Sequence, residues 1–117
     1  MTHGEKKITK IIEELTIYFF TVGADRIQSG IEKHDNHVKI TFQANYDPDC
    51  HDRVMVLEKY LNEPKNEGME DFYWELAGSG DPGESSQLLL VGMMIDRADI
   101  TIGEKEVSLV LYKDIDV

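Results

Sequence analysis

The densest set of potential ligands in this 117-residue chain is Asp47-Pro48-Asp49-Cys50-His51-Asp52. Zinc takes imidazole, thiolate and carboxylate in a tetrahedral array, which makes Asp47, Asp49, Cys50 and His51 the candidates for a metal centre. Neighbours on one short turn seldom converge on a single ion, so a polar turn with a helix cap is the plainer expectation. His34 and His37 lie at the other end of the preceding strand, about 25 Å away at ~3.3 Å per residue. Cys50 beside His51 makes a poor nucleophile pair, because side chains adjacent in sequence rarely face each other. Gly78, Gly80 and Gly83 match the spacing G-x-G-x-x-G. That spacing cradles a pyrophosphate only between a strand and a helix. Here a helical segment precedes it, so a plain loop is expected. The chain holds no Walker loop, no H-E-x-x-H and no G-x-S-x-G.

The elements that must position these residues follow from periodicity. Ile8, Ile11, Ile12, Leu15, Phe19 and Val22 form one stripe of a helix over Glu5–Val22, with Gly23 suited to its C-terminal cap. The uncharged stretch Leu15–Val22 suits a strand by composition, but the unbroken stripe argues for helix. Ile27, Ser29 and Ile31, then Val38, Ile40, Phe42 and Ala44, alternate as two strands of a hairpin around His34–His37. Asp49 or Asp52 caps a helix carrying Val54, Leu57 and Leu61, which stops before Pro64. Met69, Phe72, Tyr73 and Leu76 mark a short helix, and Gly78–Gly83 a loop. Ser85 or Ser86 opens a helix over Gln87–Asp96 that is apolar nearly all round, with Met93 and Met94 as core filling. A second hairpin pairs Ala98–Ile102 with Val107, Leu109 and Leu111, and Asp114–Val117 is a short tail. This order predicts one α+β domain over residues 1–117. It is a two-layer sandwich with helices on one face of a mostly antiparallel sheet of about four strands.

Composition sets the outer limits. Hydrophobic residues make up 41% and charged residues 30%, the balance of a folded globular chain. No apolar run approaches the ~20 residues of a membrane span. The charged opening Met1-Thr-His-Gly-Glu-Lys-Lys7 does not read as a secretory leader. With a single cysteine, Cys50, no internal disulfide can form, and a cytoplasmic location is expected. Twelve basic against 23 acidic residues give a net charge of −11. That field repels nucleic acid and anionic membrane, and leaves a protein, with a basic one favoured by charge, as the expected partner.

Glu13-Glu14-Leu15 in a first helix followed by a hairpin, and Leu88–Ile102 followed by Glu106–Leu111, resemble the N-box region and the closing helix and hairpin of the GHKL superfamily. This layout is similar to the histidine-kinase-like ATPase fold, and anti-sigma-factor kinases are the members nearest in size. The resemblance implies an ATP site with Mg²⁺ held by an Asn, adenine read by an Asp within D-x-G-x-G, and a later glycine motif. The Asn position falls on Tyr18 if Glu14 is the N-box Glu, or on Ile17 if Glu13 is. No glycine lies between Gly30 and Gly68 to make D-x-G-x-G, and only Gly78, Gly80 and Gly83 echo the later motif. Asn66–Asp96 contains seven acids and no Lys or Arg. A triphosphate there would meet little besides the backbone N–H groups at the Ser85 helix start.

The expectation is therefore a non-catalytic regulatory domain derived from a GHKL ATPase, with no cofactor, that binds another protein and is compatible with a homodimer. Tyr18, Phe19 and Phe20 would fill the former nucleotide site. The alternative is a divergent ATP- and Mg²⁺-dependent anti-sigma-like serine kinase or ATPase, with Glu14 as base and Gly78, Gly80, Gly83 and Ser85 around the phosphates. A third reading is the metal module at Asp47–Asp52.

Overall fold

Thr2 starts the first helix, α1 (His3–Thr21), through a capping box. Its hydroxyl accepts the Glu5 N–H at 3.1 Å, and the Glu5 carboxylate accepts the Thr2 N–H at 2.8 Å. Such a cap contributes about 1 kcal/mol and sets the start two residues before the Glu5 expected from periodicity. Ile8, Ile11, Leu15, Phe19 and Val22 are buried along one face. Gly23 follows the helix at φ 90°, a left-handed conformation that ends the helix at little cost only for glycine. The Asp47 N–H donates to the Val22 carbonyl at 2.9 Å, docking the end of the sheet against the end of α1.

The computed structural model describes residues 1–62 and 84–115. Strands β1 (Ile27–Lys33), β2 (His37–Asn45), β3 (Arg97–Ile102) and β4 (Glu106–Asp114) form one antiparallel sheet in the order β1-β2-β4-β3. Val38, Ile40, Phe42 and Ala44 of β2 and Val107, Leu109 and Leu111 of β4 are buried against the helices. The Phe19 ring stacks on Phe42 with centroids 5.3 Å apart, tying α1 to the middle of the sheet. The alternate residues face away from the helices, as the period of two requires. Among them the Arg97 guanidinium lies 4.2 Å above the Tyr112 ring. The fold is α+β with two layers.

Three further boundaries differ from the sequence reading. The helix expected through Val54 and Leu61 is broken into a 3₁₀ turn (Pro48–Cys50), α2 (His51–Val54) and α3 (Leu57–Asn62). Asp47, rather than Asp49 or Asp52, caps the turn by accepting the Asp49 N–H at 2.9 Å. At the break, the Arg53 carbonyl that a continuous helix would offer to the Leu57 N–H accepts the Tyr18 hydroxyl at 2.9 Å. The last helix, α4, spans Glu84–Met94 rather than Gln87–Asp96. Asp96 already belongs to the hairpin, its N–H donating to the Tyr112 carbonyl at 2.8 Å. The tail is shorter than expected, because β4 continues to Asp114 and Ile115 packs on the core with its N–H on the Asn36 carbonyl at 3.0 Å.

Leu88, Val91 and Ile95 bury α4 beneath α1 and α3. At Gly92 a methyl group would run into the Tyr60 carbonyl oxygen, so the two helix backbones touch there. The helix expected over Met69–Ala77 and the Gly78–Gly83 loop lie outside the described residues.

Candidate functional site

The second half of α1 carries Glu14 and Tyr18, and the connection from β2 into α2 carries Asp47, Asp49, Cys50 and His51. The Tyr18 hydroxyl links the two through the Arg53 carbonyl. Glu14 is 8% exposed, the one charged residue buried among the described residues. Its carboxylate accepts from the Lys10 ammonium at 3.0 Å, and that bond raises the Lys10 amine above its ordinary value. One helical turn later Tyr18 is fully buried and donates its O–H to the Arg53 carbonyl. Burial pushes the phenol up to about 12, with the Arg53 charge working against the rise. Tyr18 is thus a neutral donor committed to a carbonyl, which suits it poorly as a cation ligand.

Around α2 the former ligand candidates hold the chain to itself. The Asp47 carboxylate caps the 3₁₀ turn. Arg53 donates to Cys50 Sγ and to the Thr21 carbonyl, each at 3.5 Å, and Asp49 is exposed. His51 Nδ1 lies 2.7 Å from the Tyr46 hydroxyl oxygen, and that hydroxyl donates to the Gly103 carbonyl. A phenol has one hydrogen and a carbonyl only accepts, so Nδ1 of His51 carries the proton in this contact. Burial raises the Tyr46 phenol as well, with Glu104 adding to the shift. Among the described residues no group of three or more His, Cys, Asp or Glu side chains is placed to hold a metal ion. Asp47, Cys50 and His51 each hold a contact within this segment or to its neighbours, and the Asp49 side chain stands exposed.

Sequence reasoning overlooked Tyr46 and Arg53. Tyr46 continues the even-numbered row Val38, Ile40, Phe42, Ala44 and is 3% exposed, so the period of two could have found it. Arg53 carried no such signal, since its carbonyl and its guanidinium both act toward α1. Ser85 sits in α4 next to its first residue, Glu84. Gly78, Gly80 and Gly83 lie outside the described residues.

The aromatic run does not fill one site. Tyr18 and Phe19 are buried, whereas Phe20 is 62% exposed and Ile17 39%. The helical period places positions 18 and 19 toward the core and turns 17 and 20 to the opposite side. The expectation that Phe20 packs inside is corrected.

Away from this region, a solvent-open concavity of about 450 Å³ lies at the Asn45 end of the outer sheet face. Its polar groups are largely paired with one another. Asn45 Oδ1 accepts the N–H groups of Asp25 and Arg26, each at 2.9 Å, and Arg26 meets Glu106 at 3.3 Å. Among the described residues no helix is long and apolar enough to cross a membrane. Comparison with protein-family models, curated proteins and solved structures finds no match to the chain.

Proposed function

We propose that this chain is a non-catalytic regulatory domain of histidine-kinase-like ATPase descent that works by binding another protein. The order of helix, hairpin, helices and closing hairpin around a β1-β2-β4-β3 sheet supports the descent. The observation that carries the loss of chemistry is Tyr18. It stands one turn after Glu14, where the resemblance would put the Mg²⁺-binding Asn, and its only hydroxyl proton goes to the Arg53 carbonyl. A buried phenol there supplies neither the oxygen ligand nor the space that Mg²⁺ and its waters need. For binding, α1 presents Ile17 and Phe20 to solvent. A net charge of −11 favours a partner with basic residues beside its apolar contacts.

Calorimetry with ATP or ADP and Mg²⁺ tests the first half, with no binding expected and a micromolar dissociation constant counting against the reading. Photo-crosslinking from position 20 in the native cell tests the second. A single adduct that disappears with Ile17→Asp is expected, and no adduct counts against it. A second reading, a divergent ATP-dependent kinase or ATPase, is favoured by one observation, the burial of Glu14 on α1. In that reading Glu14→Gln abolishes nucleotide turnover while leaving nucleotide binding in place.

A further inference from the structure

We infer that His34 and His37, at the tip of the β1–β2 hairpin, chelate a late first-row divalent transition-metal ion, with Cu²⁺ held most tightly. The site is separate from the protein-binding face proposed above and does not depend on it. The two imidazole rings have centroids 4.7 Å apart and planes 18° from parallel. Imidazole nitrogens bind such ions at about 2.0–2.1 Å, which puts each ring centre about 3.2 Å from the metal. Two rings on one ion are then about 4.5 Å apart at a right angle and about 5.2 Å apart at the tetrahedral angle. The observed separation lies in this range, so the two side chains reach one ion, although the near-parallel rings must turn about their side-chain torsions for the nitrogen lone pairs to converge on it.

The backbone that carries them is fixed without a metal. The His34 N–H donates to the His37 carbonyl at 2.8 Å, and the Asn36 carbonyl accepts the Ile115 N–H at 3.0 Å. Lys33, the nearest cation in sequence, is held by Glu5 at 3.1 Å. Asn36 Oδ1 stands 3.2 Å from His37 Nδ1. Accepting that N–H leaves the lone pair on Nε2, the kind of outer contact that orients a ligating histidine. Glu32 Oε2 lies 3.6 Å from His34 Nε2 and adds negative charge near that imidazole without completing a three-ligand set. No third ligand already stands with the pair among the described residues. The site is therefore a labile chelate completed by water, and Cu²⁺ leads the affinity order for imidazole donors.

Titration of the full chain with Cu²⁺, followed by calorimetry and electron paramagnetic resonance, tests this. One ion per chain is expected, with two nitrogen donors in the spectrum and a rise in Tm that a chelator reverses. His34→Ala and His37→Ala should each weaken binding by at least roughly tenfold, the scale that even outer-contact changes reach. Both positions are on an exposed turn, so these variants should keep the Tm of the metal-free protein. His51→Ala should leave the affinity unchanged, and the same titration on His3→Ala, which removes any chelation by the terminal amine with His3, should still show the two-imidazole site. No binding at about 100 µM Cu²⁺, unaltered affinity in either turn variant, or loss of the signal in His3→Ala would each overturn the assignment.

Discussion

The carboxamide of Asn62 pairs with both backbone groups of Ala98, its Nδ2–H donating to the Ala98 carbonyl at 3.0 Å and its Oδ1 accepting the Ala98 N–H at 3.1 Å. Ala98 lies on β3, an outermost strand of the sheet, so one side chain at the end of α3 occupies edge groups that a further strand would otherwise take. Covering an edge in this way limits unwanted pairing. Asn62→Ala leaves a part-buried donor and acceptor without partners and should cost about 1–3 kcal/mol. Asn62→Asp keeps the acceptor but sets a carboxylate against the Ala98 carbonyl, and should also destabilise. Urea denaturation with an unchanged m-value reads both, and a variant as stable as the parent would refute the pairing.

Gly92 is buried in α4, where alanine would ordinarily gain about 1 kcal/mol of helix propensity. Here the added methyl meets the Tyr60 carbonyl oxygen, a backbone atom of α3 that cannot rotate away. Gly92→Ala should therefore lose about 1–3 kcal/mol by overpacking. Gly30→Ala is the control. Its methyl would meet Thr41 Oγ1 at 2.8 Å, a side-chain atom that can turn aside, so the loss should be smaller. Thermal unfolding of the two variants gives the order, and a stabilised Gly92→Ala would show that the helices are not in contact.

The capping box at Thr2 carries a pH dependence whose sign is fixed. The Thr2 N–H bond and the Lys33 ammonium lower the Glu5 carboxyl from 4.5 to about 2 in the folded chain. A depressed folded value means the stabilisation is fully present above pH 4.5 and is lost as pH falls from there toward 2. Glu5→Gln should flatten the stability–pH curve over that window and leave the slope above pH 5 unchanged. Denaturation midpoints measured from pH 6 to pH 2 check it, and an unaltered acid limb would exclude the assignment.

How much of this was legible depends on the reach of each interaction. The even-numbered row of β2 and the stripe Ile8–Val22 of α1 were readable because their periods are local and one face of each is dry. The break between α2 and α3 was not, because it coincides with a bond from Tyr18, far away in sequence, to the Arg53 carbonyl. The same holds for Asn62, whose partner Ala98 lies on a different element. For the cluster Asp47–Asp52 the polar turn was expected because neighbours on one turn seldom converge, but composition records donors without directions and could not name their partners. The structure turns Asp47 onto its own turn and His51 onto Tyr46.

Phe19 and Phe20 make the sharpest test of the reading, since composition treats them alike and the helix separates them. Phe19 is fully buried, edge-on to Tyr18 at 5.1 Å and stacked on Phe42. Phe19→Ala opens a cavity between α1 and the sheet, and truncations of this kind cost about 3–5 kcal/mol. Phe20 is 62% exposed, so Phe20→Ser should change stability by no more than about 0.5 kcal/mol. If this side of α1 receives a partner, Phe20→Ser should nonetheless weaken complex formation with the cross-linked protein, because an exposed aromatic anchor is where interface energy concentrates. The two variants thus separate folding from binding on adjacent residues. A Phe20→Ser protein that binds as tightly as the parent would remove α1 from the interface, whatever its stability.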